Sequence, residues 1–302
     1  MKIDNFLCNS LLFFRKFRNV LLLASVFLLL PGPIFSDTGL SFPDKERCAA
    51  TKESSPFALN VFADIGLGLA GAGLFATAAV IRKDAEGYDG DVKFKEEDIN
   101  SFDKLWFNGY DKTLDDLGDI GPAATLLALP VGIYLTETIV KNFPARELAT
   151  VGVMFAESWL LSSGIKNIMK TTFTRTRPYM YTDEWDEKGV ESGDWKLSFP
   201  SGHTTDAFLG ATFTTYTFWK YFPESKFKVP VLITSYALAT ATAFMRVSSG
   251  NHFMTDVAAG AVIGSAIGFL VPFIHEKIAA VKYRGQSVLS FNGQSLTATF
   301  RF

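Results

Sequence analysis

Long apolar stretches alternate with shorter polar segments along most of the chain. Each stretch is longer than a typical β-strand and is rich in Leu, Ala, Gly and Met, which favours a helix. The pattern therefore predicts an all-α fold, a six-helix bundle. The six stretches are 58–81, 120–140, 148–168, 203–221, 229–246 and 253–275.

Several of these stretches are apolar enough to cross a membrane. Residues 257–274 run for eighteen residues without a charge, and 65–81 and 229–245 are charge-free and close to spanning length. Four acids interrupt the stretches: Asp64, Glu137, Glu157 and Asp206. Acids are costly in a bilayer unless they face the bundle interior. We expect a membrane-embedded bundle, with a soluble bundle of very apolar helices as the alternative.

The two ends of the chain differ from this helical part. Basic residues precede an apolar run at 20–30, which predicts a secretory signal peptide or an uncleaved N-terminal anchor over 1–36. A linker at 37–57 would lead into a helical domain at 58–278. Over 279–302, an Asn292-Gly293 turn and alternating apolar residues predict a short C-terminal β-hairpin.

Two polar segments interrupt the helical domain. The second half of the first, 82–119, carries apolar residues at three- and four-residue spacing, which predicts an amphipathic helix that packs on the bundle or lies on a membrane surface. These residues are Ile99, Phe102, Trp106, Tyr110, Leu114 and Leu117. The second, 179–198, mixes aromatic and acidic residues and is interpreted as a lid beside a site or as an interfacial loop.

Composition narrows the classes of partner. The net charge is −2 and no basic block is present, which argues against nucleic acid as a partner. The two cysteines, Cys8 and Cys48, are too few for a disulfide framework, and on the same ground we exclude a structural zinc site within one chain.

One histidine has neighbours that suggest chemistry. His252 precedes Asp256 by four residues, so on a helix the two share a face and the carboxylate can accept a hydrogen bond from one ring nitrogen. The other nitrogen would then be free as a nucleophile or base. Arg246 lies six residues earlier and offers a planar fork that matches phosphate oxygens.

Two further segments lie at helix boundaries. Lys170 and Arg177 flank the end of the third stretch, and Pro178 disfavours helix at Arg177, so both cations can face one space. Taken alone, these cations and Arg175 would also fit an interfacial basic cluster. The segment Pro200-Ser201-Gly202-His203 opens the fourth stretch, where free N–H groups of a helix start can bind phosphate.

Three ordered motifs carry a resemblance to a known family. They are Lys-x6-Arg-Pro at 170–178, Pro-Ser-Gly-His at 200–203 and Arg-x5-His-x3-Asp at 246–256. The chain over roughly 58–276 resembles the type-2 phosphatidic acid phosphatase superfamily, which also includes non-specific acid phosphatases and vanadium haloperoxidases. It departs from the family at Met245, where the family usually has Ser.

The resemblance implies a mechanism without a cofactor or a metal. His252 would attack phosphorus, Asp256 would stabilise the imidazolium, and His203 would protonate the leaving alkoxide. Five groups would bind the phosphate oxygens: Lys170, Arg177, Ser201, Gly202 and Arg246.

The sequence says less about the substrate than about the reaction. A membrane-bound enzyme of this family would act on a phosphorylated lipid, either a monophosphate such as phosphatidic acid, phosphatidylglycerol phosphate or lipid A phosphate, or an isoprenyl diphosphate. We expect a protein of the cell envelope, in the inner membrane with its site facing the periplasm, or in the periplasm. A count of helix crossings from an external N-terminus instead places the site on the inner side. The alternatives are a soluble periplasmic acid phosphatase, a vanadium haloperoxidase and a non-enzymatic membrane carrier.

Overall fold

The computed structural model describes residues 55–82, 88, 94–141, 143–284, 288–291 and 296–299. The expected leader at 1–36 and most of the linker lie outside these residues. Each of the six apolar stretches lies mainly in helix, but the count of six is wrong, because short helices also form in the polar segments. The α-helices are α1 (Val61–Arg82), α2 (Ser101–Lys104), α3 (Lys112–Ala123), α4 (Leu129–Lys141), α5 (Ala145–Phe173), α6 (Glu187–Glu191), α7 (Gly202–Tyr221), α8 (Lys228–Ser248) and α9 (Met254–Arg284).

A π-helical turn, Ala124–Ala128, joins α3 to α4 into one long helical run. Pro122 lies near the end of α3 and has no N–H to donate, so the regular hydrogen-bond ladder cannot continue through it. Thr125, three residues later, is fully buried and its hydroxyl donates to the Gly121 carbonyl at 3.0 Å. The hydroxyl thus satisfies a backbone acceptor in this irregular turn.

Five helical segments in the described part are long and apolar enough to span a membrane: Val61–Arg82, Lys112–Thr136, Ala145–Tyr181, Lys228–Ser248 and Met254–Lys282. Large apolar side chains on their outer faces are exposed, for example Phe62 at 88% and Leu69 at 68%. Exposed apolar surface on this scale suits lipid rather than water. The protein is a membrane protein.

The remaining long helix, α7, is the centre of the bundle and packs against α3, α5, α8 and α9. Its close contact with α9 depends on glycines spaced four residues apart. A Cβ at Gly260, Gly264 or Gly268 would come within 2.7 Å of an α7 backbone oxygen. Small residues at this spacing let two helix backbones approach closely.

The loops that carry the three sequence motifs meet at one end of the bundle, called here the site end. The Tyr179 N–H donates to the Gly250 carbonyl at 3.0 Å, and the Asp111 N–H donates to the Ser249 carbonyl at 3.2 Å. At the opposite end, called the far end, an apolar cluster is built around Phe57, Phe143 and Phe213.

The expected amphipathic helix over 99–117 is not continuous. The segment forms a 3₁₀ turn at Glu96–Asp98, the short helix α2, and then an irregular stretch before α3 begins. Two side chains cap these helices, because Asn100 accepts from the Asp103 N–H and Asp111 accepts from the Leu114 N–H. A cap in the middle of an apolar-periodic segment starts a new helix.

Two short strands follow α9. Val288–Phe291 pairs antiparallel with Leu296–Thr299, with Val288 opposite Thr299 and Phe291 opposite Leu296. The expected turn residues, Asn292 and Gly293, lie outside the described residues.

Candidate active site

The first motif is fixed where α5 ends. Thr174 caps the helix with a left-handed backbone (φ 33°), and the chain then runs extended through Arg177 into Pro178. The Lys170 ammonium donates to the Leu197 carbonyl at 2.5 Å, which draws the end of α5 toward the second motif. The extended backbone at Arg177 agrees with the effect expected from the following proline.

Arg177 is buried and held on two sides. Its Nε donates to the Asp194 carbonyl at 3.0 Å and its Nη2 to the Asp194 carboxylate, while Nη1 donates to the side chain and carbonyl of Asn251 at 3.1 and 3.2 Å. Burial of Asp194 raises its pKa, but the charge of Arg177 outweighs this effect, and the pKa of Asp194 lies below its usual value. The loop 179–198 therefore lies beside the site, because its residue Asp194 holds Arg177 in place.

The second motif begins α7. Ser201 is the N-cap, with its side chain accepting from the Thr204 N–H, and its own N–H donates to the Asp256 carbonyl at 3.0 Å. A Cβ at Gly202 would meet Lys170 Cε at 3.7 Å, so this residue lies directly beside the lysine. The His203 side chain is 39% exposed and its Nε2 lies 3.1 Å from Asp119 Oδ1.

The third motif turns at Gly250, which has φ 72°, and the turn brings His252 back so that its N–H donates to the Arg246 carbonyl at 3.1 Å. Arg246 is buried, and its Nη1 donates to Asp115 at 2.5 Å and to Asp119 at 2.9 Å. Its Nε has no hydrogen-bond partner within the described part of the chain. That N–H is a buried donor available to a bound anion.

The expected direct hydrogen bond between His252 and Asp256 is not formed. His252 Nδ1 and Asp256 Oδ2 are 3.8 Å apart, which is beyond hydrogen-bond distance. The reason is that other donors hold the carboxylate: Arg175 at 2.5 Å, Ser198 at 2.6 Å and the Phe253 N–H at 2.9 Å.

Ser198 lies between this histidine and this carboxylate. Its Oγ donates to Asp256 Oδ2 at 2.6 Å and is 3.5 Å from His252 Nδ1. Because the single hydroxyl hydrogen is used toward Asp256, the oxygen can only accept a hydrogen bond from the ring. The contact therefore favours the tautomer with the proton on Nδ1 and the lone pair on Nε2.

Burial and nearby positive charges both disfavour the protonated form of the two histidines. His252 is 1% exposed, and its burial together with Arg177, Lys170 and Arg246 lowers its pKa well below the usual value. Loss of water around His203 and the charges of Arg246, Arg177 and Lys170 lower the pKa of His203 to about 3. All three cations thus act on both rings, as expected when the three motifs surround one space.

Sequence reasoning missed several acids that support the site. Asp103 is fully buried and accepts from Arg175 Nη2 at 2.6 Å and from the Thr255 N–H at 3.0 Å. Asp115 and Asp119 hold Arg246 from α3. These residues belong to the polar segment 82–119, and no spacing within that segment links them to the three motifs.

A small cleft of about 100 Å³ opens beside Lys170, between α1 and α5. Its lining is mostly apolar and includes Phe75, Ala78 and Ala79 of α1. Phe75 is 42% exposed on the outer face of the bundle. The cleft therefore joins the lipid-facing surface to one of the candidate phosphate-binding cations.

Comparison with known proteins gives a match to one family model and to two relatives. Residues 151–279 match the family model described as the PAP2 superfamily, a range that holds all eight candidate residues. A PA-phosphatase related-family protein of Dictyostelium discoideum is 25% identical over 173 residues, which cover 53% of this chain and 62% of the relative. Phosphatidylglycerophosphatase B of Bacillus subtilis is 39% identical over 83 residues, which cover 27% of this chain and 41% of the relative. The chain thus spans less than two thirds of either relative.

Among solved structures, the chain is similar to a transmembrane PAP2 type phosphatidylglycerolphosphate phosphatase from Bacillus subtilis. The two are 23% identical, with a TM-score of 0.44, and the match covers 70% of this chain and 98% of the other.

Proposed function

From the PAP2 superfamily domain that the chain carries at residues 151–279, we propose that this protein is a phosphatase that releases phosphate from a membrane lipid through a phosphohistidine intermediate on His252. The observation that carries the proposal is the position of His252, His203 and three cations around one space at the site end. Two neutral imidazoles among fixed positive charges suit nucleophilic attack on a phosphate dianion.

In the first step, His252 Nε2 attacks phosphorus and the bond from phosphorus to the lipid oxygen breaks. Lys170, Arg177 and the unpaired Nε of Arg246 neutralise the equatorial oxygens, joined by the Ser201 hydroxyl and the Gly202 N–H. The imidazolium that forms keeps its proton on Nδ1, toward Ser198 and Asp256. His203 protonates the departing alkoxide.

His203 must carry a proton for that role, although its pKa in the free site is about 3. A bound phosphate dianion offsets the nearby cations, so it raises the pKa of His203 toward the working range. In the second step His203 accepts a proton from water, the hydroxide oxygen attacks phosphorus, and the bond from phosphorus to His252 breaks. Inorganic phosphate leaves, His252 is neutral again, and His203 releases the proton that it took from water as its pKa falls back in the empty site.

Three features support a lipid substrate. The site lies at one end of a bundle with five candidate spans, the cleft beside Lys170 is lined in part by the exposed Phe75, and one relative is named for phosphatidylglycerol phosphate. Burial of even 100 Å² of acyl chain at about 25 cal/mol per Å² contributes roughly 2.5 kcal/mol, or about 70-fold in kcat/KM if it is realised in the transition state.

The test is a substrate panel given to the detergent-purified protein. Phosphatidylglycerol phosphate, phosphatidic acid, an isoprenyl diphosphate and p-nitrophenyl phosphate are compared by phosphate release. We expect at least one lipid to exceed p-nitrophenyl phosphate by about 70-fold in kcat/KM, and His252→Ala to abolish release. Equal turnover of soluble and lipid substrates would favour a non-specific acid phosphatase instead, and full activity in His252→Ala would remove the proposed nucleophile.

A further inference from the structure

Three ionisable side chains meet near the far end of the bundle, away from the phosphate site. They are Asp64 on α1, Glu157 on α5 and His275 on α9, and one ligand atom from each lies within 4.8 Å of the others. Glu157 precedes Lys170 by thirteen residues on the same helix, which separates the two by about 20 Å along the axis. The cluster is therefore distinct from the catalytic groups.

The cluster holds more negative charge than positive charge. His275 is fully buried, and the side chains of Glu157 and Asp64 are 7% and 20% exposed. Within the described residues, both carboxylates form their ion pairs with His275. Even a protonated imidazole leaves the group at −1, which is costly among membrane-spanning helices.

One oxygen in the cluster is unused. Glu157 Oε2 lies 2.8 Å from His275 Nε2, but Oε1 is buried and has no hydrogen-bond partner in the part of the chain that the structure describes. A buried carboxylate oxygen of this kind is normally satisfied by a donor or a cation. Two atoms that bind one ion at about 2.1 Å are about 3.4 Å apart at the tetrahedral angle that Zn²⁺ prefers. Glu157 Oε2 and His275 Nε2, now 2.8 Å apart, would therefore separate by about 0.6 Å to share the ion.

The second nitrogen of His275 is held as in a metal-binding histidine. Its Nδ1 lies 3.1 Å from the Ala58 carbonyl oxygen, and the Ala58 N–H donates to the His275 carbonyl at 3.2 Å. When Nδ1–H donates to the Ala58 carbonyl, Nε2 shares a proton with Glu157 Oε2, and an ion that binds between these two atoms replaces that proton. Metal-bound histidines commonly donate their other N–H to a backbone carbonyl in this way.

From these contacts we propose that Asp64, Glu157 and His275 bind a divalent transition-metal ion, of the Zn²⁺ or Mn²⁺ class, that fastens α1, α5 and α9 together. One imidazole nitrogen with two carboxylates suits these ions, and the +2 charge makes the cluster neutral. Because Asp64 is partly exposed, an ion from solution can reach the cluster. The exclusion of a structural zinc site rested on the cysteine count alone, and this donor set needs no cysteine.

The experiment measures metal content and unfolding, not turnover. Detergent-purified protein is stripped with EDTA, freed of chelator and titrated with Zn²⁺, then with Mn²⁺ and Mg²⁺ for comparison. We expect about one Zn²⁺ or Mn²⁺ bound per chain by elemental analysis, with the unfolding midpoint raised by several degrees. Glu157→Gln should lose the bound ion and the midpoint shift, because the amide is a neutral, weaker ligand of similar shape.

Glu276→Gln is the matched control. Glu276 is the next residue on α9 but pairs with Lys220 and Tyr216 outside the cluster, so this variant should bind metal as the wild type does. The proposal is overturned if stripped wild-type protein binds neither Zn²⁺ nor Mn²⁺ and its midpoint does not move. It is also overturned if Glu157→Gln binds the ion as tightly as the wild type. The wild-type titration decides even if the variant does not fold.

The metal proposal and the phosphatase proposal can fail separately. Stripped protein assayed well below its unfolding midpoint should still turn over substrate, because the cluster lies about 20 Å from Lys170. Loss of turnover below that midpoint, restored by the ion, would contradict the assignment as a structural site.

Discussion

Ser198→Ala is the substitution that tests the arrangement around His252 most specifically. Ser198 is fully buried, and its hydroxyl is the only atom described between His252 Nδ1 and Asp256 Oδ2 at hydrogen-bonding range of both, 3.5 and 2.6 Å. The substitution removes one oxygen and leaves the backbone contact from the Ser198 N–H to the Arg175 carbonyl in place. The fold should therefore survive.

The expected magnitude follows from the kind of hydrogen bond that is lost. The bond from His252 Nδ1–H to Ser198 becomes one to a charged group as the imidazolium forms, and such a bond contributes about 1.5–3 kcal/mol. If this bond holds the His252 ring in the attacking orientation, its loss lowers kcat by roughly 10- to 150-fold, at about 1.4 kcal/mol per tenfold. KM should change little, because Ser198 lies behind the imidazole and does not contact the phosphate.

The assay is steady-state phosphate release from the best lipid of the panel, with Ser235→Ala as the control. Ser235 is also fully buried, but its hydroxyl has no partner within the described residues and it lies on α8 away from the motifs. The control should keep kcat within about twofold. A folded Ser198→Ala enzyme with wild-type kcat would refute the role of the bridging hydroxyl.

Three further predictions concern the acids and His203. Asp103→Asn should lower the free energy of unfolding by about 1–3 kcal/mol, because it removes the charge that pairs with Arg175 Nη2 while Asp256 still holds Nη1, whereas the exposed Asp116→Asn should change it by less than about 0.5 kcal/mol; equal effects in denaturant titrations would contradict this. Tungstate is a dianion of similar shape to phosphate, and its binding at pH 7 should take up protons because it raises the low pKa of His203. Calorimetry in buffers of different ionisation heat measures the proton uptake. If the uptake persisted in His203→Gln, His203 would be excluded as the group that takes up the proton. Asp119→Asn should lower kcat about tenfold, because Asp119 orients His203 at 3.1 Å; an unchanged kcat would show that this contact has no catalytic role.

The pH dependence of stability tests the contacts of Asp103 in a second way. Burial opposes its ionisation, but hydrogen bonds from Asn100, Arg175 and Thr255 lower its pKa below the usual value. Its contribution to stability is therefore complete above the ordinary aspartate pKa and is lost as the pH falls through the lowered one. In Asp103→Asn, the part of the acid-induced loss of stability that comes from protonation of Asp103 should be absent.

The apolar pattern was a good guide to the long helices and a poor guide to the polar segments. Helices such as α5 and α9 are long and continuous in hydrophobicity, so composition alone locates them. The segment 99–117 has helical spacing, yet Asn100 and Asp111 cap separate helices within it. Local capping overrides periodicity where the apolar face is weak.

The motif residues could be found because each belongs to a short pattern with fixed spacing, but their supporting residues could not. Asp194 holds Arg177 from 17 residues further along the chain, and Asp103 meets Arg175 across 72 residues. No local spacing encodes such pairs, since they depend on how the loops fold back at the site end. The cluster of Asp64, Glu157 and His275 was hidden for the same reason.

The most direct test of the central claim is detection of the covalent intermediate. Protein incubated briefly with a lipid carrying a labelled phosphate is quenched in alkali, where phosphohistidine is stable, and the labelled peptide is identified. We predict label on His252 in the wild type, more label at early times in a variant slowed at hydrolysis, and no label in His252→Ala. Phosphate release without any labelled protein, or label on a residue other than His252, would contradict the account.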